Sequence, residues 1–157
     1  MAFTAAEELR LAQTLDEAQV RAVIDCYAHC MDTGNWDLVV DIFTDDAVFE
    51  FNATPTNKKT LIGGKAISDY LKDRNRFFKT KTCFVCHTHI IVTRDKAISD
   101  TFVSSNVGMG ERIAIRGLRY HDELIRGVDG KWRFSMRIHK PLWQHYAEAA
   151  VPEVPPS

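Results

Sequence analysis

The 157 residues predict an α+β domain: three N-terminal helices over the concave face of a cone-shaped, curled antiparallel sheet, enclosing a pocket. Three observations carry this. Apolar residues recur at helical spacing through the first half of the chain, up to about Leu71. From Thr82 the period changes to alternation. The alternating part breaks into four runs joined by short turn signals, and a long antiparallel meander of that kind twists and curls.

The elements follow in order. Residues 1–13 read as a loose or marginally helical lead-in. Thr14-Leu15-Asp16-Glu17 is a capping box, and it predicts the start of the first long helix. Val20, Ile24, Tyr27 and Met31 fall on one stripe of that helix, and Gly34 is a good stop after Asp32. Trp36, Val39, Val40 and Phe43 mark a second, short helix, and Thr44-Asp45-Asp46 is turn chemistry. Ala47–Phe51 is a strand with Ala47, Phe49 and Phe51 on one face; the polar stretch from Asn52 to Thr60, with Pro55, reads as a loop. Gly63-Gly64 precedes a third helix with Ile67, Tyr70 and Leu71 on its apolar side. The meander runs Thr82–Thr93, Ala97 to about Val107, Arg112–Arg126 and Lys131–His139. Gly127-Val128-Asp129-Gly130 is a strong hairpin turn, and Pro141 is expected to end the last strand. Residues 14–143 then make one domain, and 144–157 a Pro-containing tail.

Composition excludes several functions. Twenty basic residues balance 21 acidic ones, with no basic stripe, so nothing favours nucleic acid. No apolar run is long enough to cross a bilayer, and the first residues lack the basic start and apolar run of a signal peptide. The cytoplasm is the expected location. Cys83-Phe84-Val85-Cys86-His87 has the spacing of covalent haem attachment, but on a strand residues three apart point to opposite faces. The same geometry argues against zinc on Cys83, Cys86, His87 and His89. Neither metal nor cofactor is expected, and the cysteines read as small buried hydrophobes.

Asp32 is the residue to explain. It ends a mostly apolar helix, where the dipole is already negative. It is either a solvated helix end or an acid at the mouth of an apolar pocket, where desolvation makes it more basic.

Several strings carry a family resemblance: Tyr27 to Asp32 followed by Trp36-Asp37; Ile42-Phe43-Thr44-Asp45-Asp46-Ala47-Val48-Phe49; Tyr120-His121-Asp122-Glu123-Leu124; and Asp129 to Arg137. Over roughly residues 14–143 the chain resembles the SnoaL-like branch of the nuclear transport factor 2-like superfamily. That family includes scytalone dehydratase, hexachlorocyclohexane dehydrochlorinase, bile-acid dehydratase and polyketide cyclases. The resemblance implies an aspartate at Asp32, a tyrosine at Tyr27 that the bile-acid dehydratase uses, and an arginine at Arg137 that the dehydrochlorinase places by its leaving group. It also implies a histidine base on the first long strand. Here the sequence departs, since Cys83 or Val85 stands at that position.

Strand parity puts positions 83, 85, 87 and 89 on one face unless a one-residue bulge intervenes. Three readings follow: His87 serves as the base from a displaced position, Asp32 itself serves, or the dehydratase chemistry is absent. The expected catalytic set is Asp32, His87, Tyr27 and Arg137. The expected lining is Phe49, Phe51, Cys83, Val85, Val103, Leu118, Tyr120 and His139. The function so implied is a cofactor-independent lyase or isomerase, dehydratase- or cyclase-like, working by general acid/base chemistry on a small, mostly apolar cyclic molecule. The alternative is a non-catalytic binding or assembly domain. A homo-oligomer is expected from the resemblance.

Overall fold

A computed structural model describes residues 3–52 and 54–149. The chain runs α1 (Ala5–Thr33), α2 (Trp36–Asp41), β1 (Phe43–Phe51), β2 (Lys59–Ile62), α3 (Gly64–Asn75), β3 (Lys81–Thr93), β4 (Lys96–Met109), β5 (Arg112–Arg126) and β6 (Trp132–Glu148). The six strands form one open sheet in the order β2-β1-β6-β5-β4-β3. Neighbours from β6 to β3 are antiparallel, while β1 lies parallel to β6, so the sheet is mixed. The helices cover one face. No described helix is long and apolar enough to cross a membrane.

α1 begins ten residues before the expected start. The chain holds two Thr-x-x-Glu boxes, and the earlier one caps the helix: Thr4 Oγ1 accepts from Glu7 N–H at 3.3 Å, and Glu7 Oε2 accepts from Thr4 N–H at 2.8 Å. Between the boxes lie Ala, Glu, Leu and Arg residues with no breaker, so propensity carries the helix through. Thr14 sits inside it and donates to the Arg10 carbonyl at 2.9 Å. Residues 5–13 are therefore helix rather than a loose lead-in. At the other end Gly34 takes φ 74°, and its N–H donates to Cys30 O at 2.8 Å. Val20, Ile24, Tyr27 and Met31 are buried as the stripe requires.

Two strand boundaries also differ from expectation. Lys59–Ile62, read as the end of a loop and its exit, pairs antiparallel with β1 as an edge strand. β6 does not stop at Pro141. Its register against β5 shifts between Gly117↔Trp143 and Leu118↔Pro141, leaving Leu142 as an extra residue. A proline lacks the ladder N–H, and a bulge is where a strand absorbs that loss. The strand then continues to Glu148, so residues 144–148 belong to the sheet. The rest of the expected tail, 150–157, lies outside the described residues.

On the covered face the strand registers align side chains in rows. One row is Val92–Ala97–Leu124–Phe134, the next Ile90–Ser99–Asp122–Arg137, then Thr88–Thr101–Tyr120–His139, Val85–Val103–Leu118 and Cys83–Ser105–Arg116. The rows thus run from a dry apolar end to one carrying a thiol, a hydroxyl and a cation.

Candidate functional site

Between α1, α3 and the sheet lies an open-mouthed cavity of about 60 Å³. Its buried lining comes from Tyr27 and Met31 of α1, Leu71 of α3, and Ser105, Val107, Leu118, Tyr120 and His139 of the sheet. Its half-exposed side is Phe51, Asn75, Phe78, Lys81, Cys83 and Arg116, with exposed Arg74 at the rim. A crevice too narrow for a water molecule shares Tyr27, Cys83 and Tyr120 and is closed by Ile24, Ala28, Val85 and Val103. Phe49 lines neither; it is fully buried core, edge-on to Tyr27 at 6.4 Å.

Burial sets the protonation of the polar lining. The phenols of Tyr27 and Tyr120 have their pKa values raised by burial, and each stays a neutral donor. The His139 imidazole is pushed down to about 3 by burial and then by the Arg116 charge. Its Nδ1 accepts the Asn52 N–H at 3.3 Å. The proton of this neutral ring therefore sits on Nε2, making it a donor as well. Phe51 stacks on the same ring at 4.6 Å, and Tyr120 tilts against it at 5.4 Å. Cys83 is held as a thiol, pushed up to about 11 by burial and by the Asp32 carboxylate. The chemistry available is hydrogen-bond donation from neutral groups in a mostly apolar hollow, which suits an oxygen that gains negative charge.

Asp32 is half-buried next to the lining residues Cys83 and Lys81 but does not itself line the cavity. Both of its oxygens accept the Cys83 backbone N–H, at 2.9 and 3.1 Å. Lys81 is its neighbouring cation: burial lowers the ammonium pKa, Asp32 opposes the shift, and the nitrogen lies 5.4 Å over the Trp36 ring.

Two members of the expected catalytic set stand elsewhere. The register of β3 against β4 steps from Val85↔Val103 to His87↔Phe102, leaving Cys86 as the extra residue. This bulge reverses the parity. Cys83 and Val85 face inward, whereas His87 and His89 are exposed on the outer face, with His87 stacked on Phe102 at 4.6 Å. No imidazole is bonded to Asp32 among the described residues. Arg137, by contrast, is inward but wholly buried beneath the cavity. Its Nε and Nη2 donate to the Asp122 carboxylate at 2.7 and 2.8 Å, and Ser99 Oγ donates to the same carboxylate at 3.1 Å. The guanidinium carbon packs 4.1 Å from the Tyr27 ring centre, 4.5 Å from Tyr120 and 4.0 Å from Phe134. It supports the tyrosine pair from below and is not a lining residue.

Arg116, Lys81 and Ser105 were not expected at the cavity. Arg116 lies two residues before Leu118 and four before Tyr120, so strand parity alone places it on their face. Among the described residues no group of three or more His, Cys, Asp or Glu side chains is arranged to hold a metal ion.

A family model described as a SnoaL-like domain matches residues 12–138. No curated protein sequence matches the chain. Among solved structures, the chain is similar to a type 2 hexachlorocyclohexane dehydrochlorinase, with TM-score 0.81 and 16% identity over 92% of this chain and 99% of that one. It is similar to the type 3 hexachlorocyclohexane dehydrochlorinase of Novosphingobium barchaimii, at 0.78 and 18% over 94% and 99%. A proposed scytalone dehydratase from Novosphingobium aromaticivorans gives 0.74 and 17% over 88% and 90%. At these identities the likeness shows the fold.

Proposed function

The chain belongs to the SnoaL-like domain family, and from that membership and the cavity we propose that it is a cofactor-independent lyase or isomerase of the dehydratase or cyclase kind. Its substrate is a small, mostly apolar cyclic molecule bearing a carbonyl or leaving oxygen. The observation that carries this reading is the donor set: Tyr27, Tyr120 and His139, all buried and all neutral, on an apolar cavity. The ring of the substrate lies against Met31, Phe51, Leu71 and Leu118. The donors hold the oxygen as charge develops on it, and each such group is worth about 10²–10³-fold. Asp32 is the base. Its two oxygens share a single backbone N–H, which leaves lone pairs free to take a proton. Arg137 holds Tyr27 and Tyr120 in place. The structural neighbours named for dehydrochlorinase and dehydratase activities agree with this class of reaction.

The test is a panel of small cyclic hydroxyketones and halogenated rings, followed for loss of water or halide and for double-bond migration. Asp32→Asn keeps an acceptor for the Cys83 N–H and removes the base, so it lowers turnover by about 10²–10⁴-fold with the melting temperature nearly unchanged. A second reading, a binding domain without chemistry, is favoured by one observation: Asp32 has no imidazole beside it. Ligand binding with no turnover, unaltered by Asp32→Asn, would select that reading. We also infer a homo-oligomer joined through the outer sheet face, where Phe84, Ile91 and Ile98 are exposed; light scattering of the purified chain checks it. Four free cysteines suit a reducing compartment such as the cytoplasm.

A further inference from the structure

The arginines of β5 and β6 from Arg116 onward are five, and four of them are answered by an aspartate: Arg119 by Asp100, Arg126 by Asp16 and Asp95, Arg133 by Asp129, and Arg137 by Asp122. Arg116 differs. Among the described residues it has no ion-pair partner. Nη2 donates to the Ser105 hydroxyl at 3.2 Å, and Nε is buried with no hydrogen-bond partner at all. Nη1 of Arg137 is also buried without a partner, so what separates the two arginines is the carboxylate that Arg137 has and Arg116 lacks. The outer edge of the guanidinium, Nη1 and Nη2, can grip a carboxylate side by side.

Its position is consistent with that use. Arg116 lines the cavity one row beyond Leu118 and two beyond Tyr120. Its charge acts on the interior: it adds to burial in lowering the His139 pKa, and it opposes the rise that burial imposes on Tyr120 and Cys83. Lys81 lines the same end, and so does Arg74, neither of them in an ion pair among the described residues. Asp32 is the acid beside Lys81, and its oxygens are already turned to the Cys83 N–H. Around the guanidinium the remaining neighbours are uncharged: Ser105, Cys83, and the Phe78 ring 6.0 Å away. The open end is therefore positive, and the inner end is apolar with neutral donors.

We propose that this end is a carboxylate-binding subsite in which the Arg116 fork takes the anion and Lys81 adds a second charge. The ligand is then an amphiphilic acid, with its ring inside and its carboxylate at the mouth. The inference rests on the reading above that the cavity is the ligand site. It adds that neutral cyclic molecules bind more weakly than their acid counterparts. A guanidinium fork takes a carboxylate or a phosphate in the same bidentate way, so phenyl phosphate serves as the competing anion in the test.

Benzoate, benzamide and phenyl phosphate separate the possibilities on the full chain, with binding read by isothermal titration and by two-dimensional NMR shifts of cavity amides. Benzoate is expected to bind at least tenfold more tightly than benzamide. Arg116→Gln is expected to erase that preference. Arg116→Lys, which keeps the charge and loses the fork, is expected to retain only part of it. Equal affinity for benzoate and benzamide, or a preference that survives Arg116→Gln, overturns the subsite while leaving the cavity as the ligand site. A tenfold preference for phenyl phosphate over benzoate overturns the carboxylate assignment. If none of the three shifts a cavity amide, the subsite and the reading of the cavity fall together.

Discussion

Arg137 and Arg116 stand three rows and one strand apart on the same covered face, and they have opposite circumstances. Arg137 is wholly buried, yet its charge is matched by a bidentate carboxylate that a serine also bonds, and three aromatic rings enclose it. Arg116 lines the cavity with a hydroxyl for one nitrogen and no carboxylate among the described residues. Depth alone does not decide which arginine is structural and which is free to meet a ligand; the partner does. A buried charge without a partner is strongly unfavourable, so where the fold buries guanidinium fully it supplies Asp122. Where it supplies none, it leaves the group at a mouth that water or a ligand can reach.

The largest expected effect breaks the first half of that contrast. Arg137→Met leaves Asp122 buried and unpaired, and should cost about 3–5 kcal/mol. For a chain of this length that is a melting temperature lowered by roughly 6–20 °C. Adding Asp122→Leu should recover much of the loss, because removing both charges removes the desolvation cost. If the single variant melted like the wild type, the pair would not be the anchor of the tyrosines.

An intermediate effect concerns His139, which lies between the two arginines, one row from Arg137 and two from Arg116. Its folded-state pKa, about 3, lies below the ordinary 6.5. Above pH 6.5 the ring is neutral in both states and its contribution to stability is complete. As pH falls below 6.5 the unfolded chain takes up the proton first, so stability declines until about pH 3. Between pH 6.5 and pH 5 the decline should be about 2 kcal/mol. His139→Asn keeps an acceptor near the Asn52 N–H and does not titrate, so urea melts at pH 7 and pH 5 should differ less for the variant than for the wild type by about that amount. Equal pH dependence in the two proteins would show that the imidazole is solvated.

The smallest effects sharpen the second half of the contrast. Arg116→Gln should change stability by no more than about 1 kcal/mol, since no ion pair is lost and the forfeited Ser105 hydrogen bond is offset by removal of the unpartnered Nε. His87→Ala, on the outer face, should fall in the same range and leave any turnover intact. A cost of several kcal/mol at Arg116 would mean that it holds the fold together rather than waiting for a ligand.

Much of the architecture was legible in the residues. The stripe from Val20 to Met31, the stop at Gly34 and the hairpin at Gly127–Gly130 follow from local periodicity and turn chemistry, and all are present. Part of the site was legible too. Parity along β5 places Leu118 and Tyr120 inward, and the same parity places Arg116 there, although a charged residue in an apolar strand is most readily read as solvated. Where two identical capping boxes competed, local chemistry could not choose between Thr4 and Thr14. His87 was misplaced for a different reason: a bulge is created by the pairing of two strands, and neither strand announces it alone.

From its order of residues the protein determined which segments become helix or strand and which side chains share a local face, because backbone propensity and side-chain period act within a few residues of chain. Only the assembled sheet decided that Cys86 bulges and sends His87 outward, that Asp122 neutralises Arg137, and that Arg116 stays without a carboxylate. Each of these depends on what residues distant in the chain bring to within a few ångströms, and the cost of desolvating a charge is set there rather than along the sequence.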